Sequence, residues 1–251
     1  MPNKSLGQHW LKDRALLEDI ANYAELTTED TVVEIGPGLG TLTSVLLARA
    51  KRVIAIEYDS ALARKLPGQF PGKQLEVVNQ DFLNFDLTQL PPAYKVVANV
   101  PYYITTKIIE HLSQGKELPE TMVLLVQQEV AEKFAARPGN MTYGAVMLQS
   151  RFDVQLGTRV PKVYFTPPPL VDSQVLVCKK RHVSIIAEKD KEVFKRVVRA
   201  GFSAPRKKLR TSLAGGLGLS LDQVENMLAQ AKIDQNQRAQ DLSLGDWQRL
   251  L

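Results

Sequence analysis

The run Val32-Val33-Glu34-Ile35-Gly36-Pro37-Gly38-Leu39-Gly40-Thr41-Leu42-Thr43 constrains this chain more than any other stretch. Residues of strand character lead straight into three closely spaced glycines, and a helix-forming run from Thr41 to Ala50 follows at once. Glycine tolerates positive φ and lets a ligand approach the backbone with no Cβ in the way. The helix that follows directs its unpaired N–H groups back at the loop. The spacing is G-x-G-x-G, with Thr41 where a dinucleotide fingerprint needs its last glycine. By itself the loop fits a ligand-free strand-to-helix turn or an adenosine-type crevice, and it fits NAD poorly.

The next strand, Arg52-Val53-Ile54-Ala55-Ile56-Glu57, ends in an acid about 20 residues past the glycines, where a carboxylate accepts hydrogen bonds from ribose hydroxyls. An exposed strand-end carboxylate is the plainer alternative for Glu57 alone; loop and acid together favour ribose. No G-x-x-x-x-G-K-[ST] phosphate loop is present. A negative Glu34 at the loop entrance repels phosphate but suits a cationic or amino-acid group. S-adenosylmethionine combines adenosine, a sulfonium and an amino acid without phosphate, and is the cofactor these residues predict.

Strand patterns near Arg52–Glu57, Leu75–Asn79, Tyr94–Asn99 and Met122–Gln127 alternate with helical patterns near Ser60–Leu66, Thr105–Ser113 and Glu129–Ala136. Such alternation predicts an α/β fold built on a mostly parallel, doubly wound sheet. Ligands of such sheets sit beyond the carboxyl ends of the strands, so Gly36, Glu57, Asp81 and Asn99 should converge on one crevice. At Asp81-Phe82 a carboxylate can accept from an adenine amino group while the phenyl ring covers the purine; turn capping by Asp81 is equally open. Asn99-Val100-Pro101-Tyr102 closes the third of these strands, where Asn and Pro serve a buried sheet poorly. An exocyclic amine attacking a methyl sulfonium needs acceptors for its N–H groups. The Asn99 carbonyl and a backbone carbonyl of the Val100–Pro101 turn supply them, with Tyr102 stacked on the base and no strong general base required.

Ala145–Gly157 and Gln174–Lys180 read as paired antiparallel strands ending the sheet. Between them a proline-stiffened loop carries Tyr164 and Phe165, which either face a flipped base or bury in the core. Past residue 181 the composition shifts. Eight cations (Lys191, Lys195, Arg196, Arg199, Arg206, Lys207, Lys208, Arg210) face one anion, Glu192, between residues 191 and 210, with apolar residues interleaved. Ser220-x-x-Gln223 and Ser243-x-x-Asp246 read as helix caps. A sheet domain over 1–181 and a small, all-helical, basic domain over 182–251 follow, the second suited to a phosphate backbone.

The 251 residues carry a formal charge of +5, a mild lean toward an anionic partner. One cysteine, Cys178, sits in an apolar run and excludes an intrachain disulfide. His9, His111 and His182 are too scattered for a metal site. No signal-peptide core or membrane-length apolar run is seen, so a cytoplasmic protein without membrane contact is expected. Asp13 caps an amphipathic helix with Leu16, Leu17, Ile20, Ala21 and Ala24 on one face. Ahead of it, Lys4 to Leu11 either folds over a ligand or frays.

Taken together these motifs resemble the ribosomal RNA adenine N6,N6-dimethyltransferases over nearly the whole chain. Lys4-Ser5-Leu6-Gly7-Gln8-His9-Trp10-Leu11 is similar to the family opening G-Q-N/H-F-L, Glu34–Thr43 to its cofactor loop, and Asn99–Tyr102 to N-L-P-Y. Phe165–Ser173 is similar to F-x-P-P-P-K-V-D-S, and Gly201–Leu213 to F-x-x-R-R-K-T-L-R-x-x-L. The resemblance implies a Rossmann-like S-adenosylmethionine-dependent fold and dimethylation of two adjacent adenines near the 3′ end of small-subunit rRNA during ribosome biogenesis, by a monomer. It implies cofactor contacts at Gln8, His9, Leu11, Glu34, Gly36, Gly38, Glu57, Asp81, Phe82 and Asn99. A catalytic set of Asn99, Pro101, Tyr102 and Phe165, with Tyr102 and Phe165 sandwiching the base, and RNA contacts at Arg206, Lys207, Lys208 and Arg210 follow too. Trp10, Val100, Met141, Leu170 and Ala204-Pro205 depart from the usual pattern; the last three fall on the side expected to hold RNA. Resistance enzymes acting on large-subunit rRNA share the N-x-P-Y site, and an assembly factor that keeps RNA affinity without activity is the alternative outside enzymes.

Overall fold

The computed structural model describes residues 8–251; Lys4–Gly7 of the opening motif lie outside them. In chain order, β1 (Trp10–Leu11) and α1 (Arg14–Asn22) precede β2 (Thr31–Ile35), α2 (Thr41–Leu46), β3 (Arg52–Glu57), α3 (Ser60–Gln69) and β4 (Leu75–Asn79). Then come β5 (Lys95–Asn99), α4 (Thr105–Gln114), β6 (Thr121–Gln127), α5 (Gln128–Phe134), α6 (Tyr143–Gln149), β7 (Phe152–Val160), β8 (Phe165–Thr166) and β9 (Ser173–Lys180). Four helices close the chain: α7 (Lys191–Gly201), α8 (Leu209–Leu217), α9 (Leu221–Gln230) and α10 (Leu244–Arg249).

The contacts divide the chain into two compact units, one of residues 1–131 and 154–180, the other of 132–153 and 181–251. The first is built on a seven-stranded sheet of order β4-β3-β2-β5-β6-β9-β7. Strands β4 to β6 pair in parallel, and β9 joins β6 antiparallel. The central strands are mostly apolar inside, as a sheet covered on both faces requires: Val32, Val33, Val53, Ala55, Val96, Val97 and Leu124 are buried, with Glu34 and Glu57 the exceptions on β2 and β3. Cys178 is also buried on β9, and burial pushes its thiol far above the ordinary range, so it is a core residue and no nucleophile. Helix α1 begins at Asp13, whose carboxylate accepts the Leu16 N–H at 3.0 Å, and buries Leu17, Ile20 and Ala21.

Helix α2 is shorter than the sequence pattern suggests. It ends at Leu46, and tighter turns carry the chain through Ala50. The segment Ala145–Gly157, expected as one strand, divides. Thr142 caps α6 by accepting the Ala145 N–H at 3.1 Å, and strand pairing starts only at Phe152. A helix wins because Ala145, Val146 and Leu148 are buried together, while the Gln149 amide donates to the Phe134 and Ala136 carbonyls at 2.8 and 2.9 Å. Residues 132–153 thereby share the core of the second unit, with Met141, Ala145 and Val146 among Phe194, Val198, Leu209, Leu213 and Trp247.

In that unit both predicted caps are complete capping boxes, at Ser220/Gln223 and Ser243/Asp246. α7 and α8 approach so closely at Gly216 that a Cβ there would fall 2.5 Å from the Ala200 Cα. Trp247 is wholly buried and stacks on Phe202 at a 5.6 Å centroid distance. Losing such a ring costs about 3–5 kcal/mol.

Candidate active site

In the strand order, β2 is flanked by β3 on one side and β5 on the other, so the crossover connections run outward in opposite directions from β2. Side chains cannot fill the crevice at such a reversal, and open α/β sheets bind ligands there. A cavity of about 290 Å³ lies there, and its lining includes Gln8, His9, Leu11, Glu34, Gly36, Gly38, Glu57, Asp81, Phe82, Asn99, Pro101 and Tyr102. These are all the residues expected to bind cofactor and three of the four expected to act on the substrate.

The glycine loop is set by backbone geometry. Gly36, Gly38 and Gly40 all have positive φ, and Gly40 occupies the cap position of α2. A Cβ on Gly40 would meet Leu66 Cδ1 at 2.7 Å, so this glycine also lets α3 close against the loop. The loop is tied to the β3 acid: Gly38 N–H donates to Glu57 Oε2 at 3.0 Å, and Asp59 N–H to Oε1 at 2.8 Å. Glu57 is nearly buried, and desolvation holds its carboxyl above the usual range against these two hydrogen bonds. Each carboxylate oxygen keeps a further lone pair for a hydroxyl donor.

Glu34 departs from its expected state. It is buried, takes a 2.6 Å hydrogen bond from the Thr43 hydroxyl, and its pKa is pushed up to about 8, first by desolvation and then also by the nearby Glu57. At neutral pH it is therefore largely a neutral acid, where the sequence suggests a standing negative charge. A cation brought beside it would favour its ionisation.

Asp81 does what the plainer reading allowed: Oδ1 accepts the Leu83 N–H at 3.0 Å and caps a short turn that starts at Phe82. It also lines the cavity, with Phe82 beside it. At the end of β5, Asn99 Nδ2 donates to the His9 carbonyl at 3.1 Å. The Pro101 carbonyl already accepts the Ile104 N–H and the Thr105 hydroxyl at 3.3 and 3.2 Å. Tyr102 donates to or accepts from Ser173 Oγ, and burial raises its phenol above the usual range, so it stays neutral.

Phe165 is not brought to the cavity. It lies in β8, which pairs with β1 (Leu11 opposite Phe165), and is buried with Leu11, Leu17 and Val160 in the core. The exposed aromatic of that loop is Tyr164. Trp10, noted in the sequence only as a departure from the family opening, also lines the site, its indole nitrogen 3.2 Å from where a Cβ on Gly38 would lie, as do the exposed rim residues Tyr58 and Tyr103, which the sequence did not single out. Thr43 and Ser173 were visible only as parts of motifs; Thr43 meets Glu34 across the glycine loop and Ser173 meets Tyr102 from a distant stretch of chain, and no local pattern marks either pairing.

In the second unit, Arg206, Lys207 and Lys208 are exposed ahead of α8. Arg210 is half-buried and pairs with Glu225 and Gln235 at 2.7 and 2.9 Å, and Lys208 reaches Asn236 at 2.8 Å. Met141, at the position where a lysine was expected, is buried in the core of this unit, whereas Leu170 in the first unit is 93% exposed.

A nucleoside-sized cavity closed by two buried acids, facing an Asn-Val-Pro-Tyr turn across a parallel-sheet reversal, defines a Rossmann-like methyltransferase. A sequence profile described as ribosomal RNA adenine dimethylase matches residues 2–251. The chain belongs to the ribosomal RNA adenine dimethylase family, and it is an enzyme that dimethylates adenine in rRNA. It is 40% identical to the ribosomal RNA small subunit methyltransferase A of Ligilactobacillus salivarius, covering 97% of this chain and 87% of that one. With the protein of the same description from Syntrophotalea carbinolica it shares 41% identity, covering 99% and 95%. Among solved structures it resembles a dimethyladenosine transferase from Plasmodium falciparum, with a TM-score of 0.83, 26% identity and 97% and 96% of the two chains covered. The 23S rRNA methyltransferase ErmE gives a TM-score of 0.80 at 29% identity, covering 96% and 97%.

Proposed function

We propose that the cavity binds S-adenosylmethionine and that the chain methylates N6 of two adjacent adenines near the 3′ end of small-subunit rRNA. It acts as a cytoplasmic monomer on the assembling subunit. The observation that carries this reading is the meeting of Asn99, Glu57 and the glycine loop on one cavity. Among the described residues no helix is long and apolar enough to cross a membrane, and no group of three or more His, Cys, Asp or Glu is arranged to hold a metal.

The residues present fit the cofactor. Two buried carboxyls rich in acceptor sites disfavour phosphate and accept from ribose hydroxyls and an ammonium group. Glu57 takes the ribose, Glu34 with Gly36 and Gly38 the amino-acid portion, Asp81 and Phe82 the adenine, and Gln8, His9 and Leu11 border it. When bound, S-adenosylmethionine supplies an electrophilic methyl group.

The chain's own part is positioning. Asn99 Oδ1 accepts one N–H of the target amine. Because the Pro101 carbonyl is already engaged, the second acceptor is the carbonyl of Val100. Tyr102, held by Ser173, offers its ring to the base, and Pro101 fixes the turn that aims both acceptors. No side chain needs to remove a proton before attack, since the methylated amine loses it readily afterwards. The exposed cations Arg206, Lys207 and Lys208 bind RNA phosphate; Arg210 supports them through its pairing with Glu225.

The small-subunit relatives at about 40% identity support this substrate over large-subunit RNA. The test is methyl transfer from labelled cofactor to unmodified small subunits, with large-subunit RNA in parallel and nucleoside analysis of both. Dimethyladenosine in the small-subunit RNA alone is expected. Label only in large-subunit RNA would reassign the substrate, and binding without label would leave an assembly factor.

A further inference from the structure

The segment ahead of α1 is clasped to the far loop of the sheet domain. β1 and β8 form a two-stranded antiparallel sheet of their own, with Trp10 opposite Thr166. Just outside the pair, His9 Nδ1 lies 2.8 Å from the Pro167 carbonyl. A carbonyl only accepts, so Nδ1 carries the proton and the ring's tautomer is set. The imidazole stacks on Tyr102, with centroids 5.6 Å apart and planes inclined by 22°. On the far side of β1, the Thr41 hydroxyl donates to the Leu11 carbonyl at 2.9 Å and joins the clasp to the start of α2.

The consequence for chemistry lies in Asn99. Its amide has a donor end and an acceptor end, and turned the wrong way it would present N–H groups to an amine that needs an acceptor. The His9 carbonyl takes Nδ2 at 3.1 Å, which a reversed amide cannot satisfy. We infer that His9 is a positioning residue for methyl transfer. Latched to Pro167, it holds its own carbonyl against Asn99 Nδ2 and its ring against Tyr102, so that Asn99 Oδ1 is committed to the substrate. This role goes beyond the border contact with cofactor assigned above and rests on the reaction proposed there.

The test compares the full-length wild type with His9→Ala and His9→Asn. Asparagine keeps a donor near the imidazole Nδ1 position and alanine does not. Cofactor affinity is measured by calorimetry and turnover at saturating cofactor and RNA. A 15N side-chain amide resonance for Asn99, assigned by its loss in Asn99→Ala, reports the contact without any turnover. His9→Ala is expected to lower kcat at saturating cofactor by about 10–100-fold, a loss separate from any weakening of cofactor Kd through the border contact, and to shift the Asn99 resonance. His9→Asn is expected to recover most of both. Weaker cofactor binding with unchanged kcat would overturn the positioning role and leave only a binding contact. So would an Asn99 resonance indifferent to His9→Ala, or equal losses in the two variants. A wild type silent in transfer but with the Asn99 resonance responsive to His9→Ala would overturn the reaction and spare the contact.

Discussion

The two polar regions of this molecule are built on opposite principles. Around the cavity, polar groups are held and already committed: Glu57 by two backbone N–H groups, Glu34 by Thr43, and Asn99 by the His9 carbonyl. On the helical unit Arg206 and Lys207 stand in solvent. Groups that must hold atoms within fractions of an ångström are bound in place, because misplacement is costly in rate. The groups proposed to meet a polyanion stay exposed and hydrated, where each ion would contribute mainly through counterion release. Arg210, tied to Glu225, shows that not every cation of the basic stretch belongs to the second kind.

The sharpest way to break the contrast is Asn99→Ala. Removing the acceptor should cut transfer by about 10²–10³-fold or more, by analogy with lost transition-state hydrogen bonds. RNA affinity in a filter-binding titration should stay near wild type; undiminished methylation would refute the mechanism. A smaller effect is expected from pH. With its pKa near 8, Glu34 must lose a proton to face a cation, so cofactor affinity should rise with pH, by at most about tenfold per unit, and level off above about 8. Glu34→Gln should flatten that profile in calorimetry.

The same shift has the opposite sign for stability. The folded state keeps a proton that the unfolded chain releases above the ordinary value of 4.5. The contribution is therefore complete below that value and falls by up to about 1.4 kcal/mol per unit until about 8. Chemical denaturation across that window should show a shallower decline in Glu34→Gln. On the other region, Arg206→Glu with Lys207→Glu should weaken RNA binding and reduce the salt slope by about two, with kcat at saturating RNA preserved. The smallest effect belongs to Arg210→Ala. A half-exposed ion pair contributes less than about 1 kcal/mol, seen as a small loss in denaturation midpoint, and the salt slope should not change.

Much of this was legible without coordinates where the signal is local. The strand-loop-helix around Gly36–Gly40, the strand ending at Glu57 and the two capping boxes all fall where short patterns put them. Each depends on backbone geometry within a few residues. Legibility failed where a local pattern had two outcomes. Ala145–Gln149 is apolar enough for a strand, yet its Thr142 cap and a shared core made it a helix. Phe165 suits a base-stacking role by its neighbours, yet pairing of β8 with β1 turned it inward.

The sequence by itself determined the parallel sheet, the glycine loop after β2, the acid at the end of β3 and the Asn99 that closes β5, because spacing along one strand and one turn suffices for each. Only the tertiary structure decided that burial raises the Glu34 carboxyl far above its ordinary value, that Pro101 has no free carbonyl and that His9 faces Asn99. Burial and hydrogen-bond saturation depend on partners as distant as residues 9 and 99, which become neighbours only when the sheet closes.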